Sequence, residues 1–158
     1  RRRAAERREI RSPVGLAQPK DRTLAYADVK SAKAEENVLR LLFTDQKLIH
    51  GVEEQLPAAW FSAPVLRKIY ERVLELDRSG SLVDALAFEG QLETNEMNLL
   101  AGILEQGVPP GDHRAELREY INTIRLQRVK DGTLTQAGED PLLTFGRMKN
   151  QNAGGQTI

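Results

Sequence analysis

Cysteine is missing from all 158 residues, which excludes disulfides, thiolate metal sites and cysteine nucleophiles and fits a reducing compartment. Net charge is missing too. Lys plus Arg and Asp plus Glu number 23 each, so nothing draws the chain as a whole toward nucleic acid or an anionic membrane. No stretch comes near the roughly 18 apolar residues of a membrane span, and no charged-then-apolar leader resembles a signal peptide. His50 and His113 are the only histidines, and neither stands at metal-ligand spacing from a carboxylate in a recognised motif. Walker loops, GxGxxG, GxSxG and DxD are absent, and Gly154-Gly155 is too short and too late to cradle a phosphate. Strand-type alternation and internal repeats are lacking. No catalytic, cofactor or metal site is expected in this chain.

What remains is helical. With 40% apolar and 29% charged residues, the composition is that of an ordinary globular domain large enough to bury a core. The central stretch runs Ala34-Glu35-Glu36-Asn37-Val38-Leu39-Arg40-Leu41-Leu42-Phe43. In it Ala34, Val38, Leu41 and Leu42 fall on one face of a helix. Ser31 offers its N-cap, and Glu35 and Glu36 are placed in the first turn, where negative charge suits the helix dipole. Adjacent carboxylates on a helix diverge by about 100° and share a proton poorly, so these two, like Glu53-Glu54, are expected on a solvated face.

Thr44 and Asp45 break the pattern and offer a cap for a second helix, about Gln46 to Leu56, closed by Pro57. Trp60 and Phe61, between two helices, are expected as core plugs rather than an exposed docking spot. Ser62 and Pro64 open a third helix carrying Leu66, Ile69, Tyr70 and Val73, ended near Gly80. Val83, Leu86, Ala87 and Phe88 suggest a short fourth. Thr94 or Asn95 caps a fifth, with Met97, Leu100, Ala101 and Leu104 on a face, before the break at Gly107 to Gly111. Asp112 caps a sixth with Leu117, Ile121 and Ile124 aligned. Its polar end, through Arg125, Arg128 and Lys130, is expected to leave the bundle.

Both flanks differ from this core. Arg1, Arg2, Arg3, Arg7, Arg8 and Arg11 make the start basic. Without interleaved aromatics they read as a solvated helix left from a preceding domain rather than a nucleic-acid arm. The sequence begins without methionine, so a piece of a longer protein is expected. Residues 1–30 then form a basic segment and linker, 31–130 the bundle, and 131–158 a short hairpin and tail. In that tail Leu142, Leu143, Phe145 and Met148 form an apolar run that either docks on a partner or folds back on the bundle.

The run Lys33 to Ile49, then Phe61-Ser62-Ala63-Pro64 into Arg67-Lys68-Ile69-Tyr70, Met97 to Leu104 and Tyr120 to Ile124 resemble the C-terminal helicase-binding domain of bacterial DNA primase (DnaG type). The same pattern resembles the N-terminal domain of the replicative helicase, which shares the fold. The primase resemblance is preferred on the wording around Phe61 to Tyr70, on the basic segment before the bundle, and because a helicase domain usually places its acidic helix near its own start. It implies an all-α, compact six-helix bundle (helicase N-terminal-domain-like) followed by a short C-terminal helical hairpin. Its role would be non-catalytic: to dock on the collar of the hexameric replicative DNA helicase and bring primase to the fork for primer synthesis. The implied setting is a cytoplasmic bacterial primosome, with a monomer when alone, no membrane contact and only indirect contact with nucleic acid. The implied partner face comprises Arg128, Leu142, Leu143, Phe145, Arg147 and Met148. Asp131-Gly132 arrives sooner than the family pattern has it. The alternatives are the helicase's own N-terminal collar domain, which self-associates, and a nucleic-acid-binding module using Arg1 to Arg11.

Overall fold

Asp28 starts the first helix of the computed structural model by accepting a hydrogen bond from the Ser31 N–H at 3.0 Å. Residues 18–19 and 24–134 are the ones described. They contain α1 (Val29–Thr44), α2 (Val52–Gln55), α3 (Pro64–Arg78), α4 (Thr94–Glu105) and α5 (His113–Lys130), with 3-10 turns at Gln46–Leu48, Ala58–Trp60 and Ala85–Phe88. Among the described residues there is no strand, so the fold is an all-α bundle. The expected terminal hairpin lies outside the described residues.

α1 is the central element, packing most extensively on α5 and also against α3 and α4. Val38, Leu39, Leu41 and Leu42 are buried there, together with Leu66, Ile69, Tyr70 and Val73 of α3, Leu100 and Ile103 of α4, and Leu117, Ile121 and Ile124 of α5. Phe61 stacks on Tyr70 with centroids 4.5 Å apart, and Phe43 meets Phe88 at 5.7 Å. The Tyr70 hydroxyl reaches the Leu56 carbonyl at 2.7 Å, so the ring is buried with its polar end satisfied.

Several local expectations change. Ser31 does not cap α1, because its hydroxyl is turned to Glu35. The cap lies three residues earlier, which moves Glu35 and Glu36 from the first turn to the second. The predicted second helix is split, because Gly51 takes φ 78° between the 3-10 turn and α2. The predicted fourth helix is only a 3-10 turn. It is capped by Asp84 and tied down where Gln46 grips the Val83 backbone, donating to its carbonyl at 2.6 Å and accepting from its N–H at 3.2 Å. α4 opens not on Thr94 or Asn95 but on a capping box between Glu93 and Glu96. Ala101, placed on its apolar face, is exposed, and Ile103 is buried instead.

Ends are finished as the residue types dictate. α3 stops in a Schellman arrangement, with Gly80 N–H on the Asp77 carbonyl and Ser81 N–H on that of Leu76, which needs the left-handed φ of 76° that glycine supplies. Asp112 caps α5 by accepting from the Ala115 N–H at 3.1 Å. Replacing Asp112 by alanine is expected to lower stability by about 1 kcal/mol in urea denaturation, the ordinary cost of an N-cap.

Candidate functional site

The most elaborate polar site is interior. Glu35, on α1, is 0% exposed. Its carboxylate accepts from the Ser31 hydroxyl at 2.6 Å, from the Ser62 N–H and hydroxyl at 2.9 and 2.7 Å, and from the Ala63 N–H at 3.3 Å. Burial pushes its pKa above the ordinary carboxylate value, with the hydrogen bonds from Ser31, Ser62 and Ala63 opposing. The Arg128 guanidinium lies 4.0 Å away. Glu36 turns to other neighbours, accepting from the Tyr26 hydroxyl at 2.5 Å and pairing with Lys33 at 3.4 Å. The expectation of a solvated acidic face is thus overturned. The residues before α1 and the loop before α3 cover both carboxylates and supply donors to them.

Arg128 is likewise interior. It donates to the Trp60 carbonyl and to Asp28, both at 2.8 Å, and its Nε lies 2.9 Å from Asp131. The far end of α5 therefore stays in the bundle, and Arg128 is not available to the rim of a partner face. Arg40 is a second buried cation, 6% exposed. It donates to the Ile103 carbonyl at 2.7 Å and to Asn37, leaving Nη2 buried with no partner among the described residues. Its charge sits in the last turn of α4, where it complements the helix dipole.

These groups hold helices together. Among the described residues no group of three His, Asp or Glu could hold a metal ion. His50 is exposed, and His113 lies with Nδ1 3.9 Å from Asp45 and Nε2 3.2 Å from the Pro109 carbonyl oxygen. A groove of about 440 Å³ runs along α3, lined by Lys68, Glu71, Arg72, Glu75, Arg78, Gln91 and Leu92. Its cations already have carboxylates: Lys68–Glu96 at 2.8 Å, Arg72–Glu75 at 2.9 Å and Arg78–Glu53 at 3.6 Å. Apolar groups face outward elsewhere. Leu82 and Leu86 are 68% and 72% exposed on the turn fixed by Gln46 and Asp84. No helix of the described residues is long and apolar enough to cross a membrane.

A comparison with protein families matches residues 27–125, the whole of this bundle up to the last turns of α5, to the DnaB-like helicase N terminal domain. The chain belongs to that family. Searches of curated proteins and of solved structures return no match. Membership in a helicase N-terminal family accounts for a helical bundle whose polar chemistry is structural, and it favours the helicase resemblance over the primase one. The other residues expected on a partner face, Leu142, Leu143, Phe145, Arg147 and Met148, lie outside the described residues, as does the basic run Arg1 to Arg11.

The Glu35–Arg128 cluster was not anticipated, although the sequence carries a signal for it. Glu35 falls in line with Val38, Leu39 and Leu42, and Arg128 with Leu117, Ile121 and Ile124. Each charge therefore lies on its helix's apolar stripe. A charge on a buried stripe calls for a partner from another element.

Proposed function

We propose that this chain is a non-catalytic protein-interaction module of the bacterial replicative helicase machinery, in the form of a helicase N-terminal collar domain. The observation that carries this reading is the family match across residues 27–125. The inward-turned polar groups agree with it, since they leave the domain to act through its surfaces. A collar domain works by self-association: rigid bundles pack against copies of themselves and hold the ring that the motor domains complete. Leu82 and Leu86, exposed on a fixed turn, are suited to such contacts because little side-chain and loop entropy is lost on docking. The setting is cytoplasmic.

A second reading is supported by the wording from Phe61 to Tyr70 and by the basic run Arg1 to Arg11 before the bundle. Here the chain is the helicase-binding domain of a primase, docking on the collar through Leu142, Leu143, Phe145 and Met148 with Arg147 at the rim. Apolar anchors would carry the affinity, and rim charges the register and on-rate.

Size-exclusion chromatography with light scattering, on the chain alone and with a bacterial replicative helicase hexamer, separates the two. Self-assembly without hexamer binding is the result expected of a collar domain. A monomer that co-elutes with the hexamer, and no longer does so after Phe145→Asp, would establish the primase reading instead. A monomer that binds no hexamer would overturn both.

A further inference from the structure

One side chain holds both ends of the bundle. Arg128 lies in the last turn of α5, 3% exposed. On the side where the chain comes in, its Nη2 donates to one oxygen of Asp28 at 2.8 Å, while the other oxygen caps α1 by accepting from the Ser31 N–H at 3.0 Å. Asp28 also offers its carbonyl to the Ala32 N–H at 2.8 Å. On the side where the chain leaves, Arg128 Nε lies 2.9 Å from Asp131, an ion pair without hydrogen-bond geometry. The Arg128 carbonyl accepts from the Thr133 N–H at 2.9 Å and the Leu134 N–H at 3.1 Å. Between these two sides, Nη1 donates to the Trp60 carbonyl at 2.8 Å.

We infer that Arg128 is a two-sided clasp, making order at the start of α1 and order in the turn after α5 a single state, so that releasing either end releases the other. The guanidinium is a rigid planar fork. It cannot swing Nε away from Asp131 while keeping Nη1 on Trp60 and Nη2 on Asp28. Any loosened arrangement leaves buried charge short of partners, and such charge is satisfied by local opening that admits water. Asp28 and Arg128 stand 100 positions apart in the sequence, so the clasp lets the segment before the bundle and the segment after it sense each other. This follows from the bundle geometry and does not depend on the proposed function.

Amide hydrogen exchange on the full 158-residue chain tests it through two mild substitutions. Asp131 is at the surface, and Asp131→Asn keeps its size and an oxygen for the Thr133 N–H. The variant is expected to speed exchange at the Ser31 and Ala32 amides about fivefold, although Asp131 touches neither. Asp28→Asn is expected to do the same at Thr133 and Leu134. In Arg128→Met both ends exchange fast, and adding Asp131→Asn then changes nothing at Ser31 or Ala32. Effects confined to the substituted end would overturn the clasp. So would an effect of Asp131→Asn on α1 that persists undiminished in the Arg128→Met background, or one matched at core amides such as Leu39 and Leu66, which reports global destabilisation.

Discussion

Glu35→Ala is expected to remove about 3–5 kcal/mol of folding stability, the usual consequence of deleting one partner from a buried charged network. The reading is a lower urea midpoint with little change in slope. The size follows from what alanine leaves behind. The Ser62 N–H, the Ala63 N–H and two hydroxyls lose their acceptor in a site closed to water, and Arg128 loses the nearby counter-charge. A typical domain is stable by roughly 5–15 kcal/mol, so this is a large fraction of the total. The wild-type pH profile provides a second check. Burial raises the folded pKa of Glu35 above its ordinary value, so between those two values the folded state binds more protons than the unfolded state. Glu35's contribution then falls as pH rises through that window and is largest on its acid side. Glu35→Ala should lack that decline.

Phe61→Ala is expected to cost a similar amount, about 3–5 kcal/mol. Phe61 is buried and stacked on Tyr70 at 4.5 Å, and its carbonyl accepts from Arg67 at 2.9 Å. Its removal opens a cavity against Tyr70 of α3. The same short loop presents the Trp60 carbonyl to Arg128 and the Ser62 and Ala63 N–H groups to Glu35. The double variant with Glu35→Ala should therefore lose less than the sum of the two single variants, because the first change already loosens what the second disrupts. Additive losses in thermal or urea unfolding would show that the ring and the carboxylate act independently.

Helix phase was the legible part of this fold. The apolar faces of α1, α3 and α5 could be placed from spacing alone, as could the stops at Gly80 and at Gly107 to Gly111, since period and backbone preference are local properties. Misassignments arose where distant residues decide the outcome. Ser31 has the composition of a cap but is turned to Glu35, and Asp28 takes the cap with Arg128 holding its other oxygen. The Gln46 to Leu56 stretch has helical spacing, yet Gly51 interrupts it. Spacing places Glu35 and Glu36 on a solvated face and Arg128 on a helix end bound for a partner, because the loop before α3 and the residues ahead of α1 that cover them lie outside each helix's own period. The resemblance to helicase-associated domains was legible, because it rests on the same helical pattern. The choice between the two resemblances was less so: the wording around Phe61 to Tyr70 points to the primase domain, and the family match falls on the helicase side.

The attachment of Tyr26 to this bundle sets where the domain can be cut. Tyr26 is buried three residues ahead of α1, donates to Glu36, and is held in turn by Gln18, whose side chain bonds both its N–H and its carbonyl. A fragment trimmed to the first helical residue, Val29, would look complete by secondary structure. It would lack the α1 cap, the Tyr26 donor to Glu36 and one arm of the Arg128 cluster. Anyone dividing this chain into pieces should keep Gln18 with the bundle. The practical boundary of this domain lies upstream of its first helix.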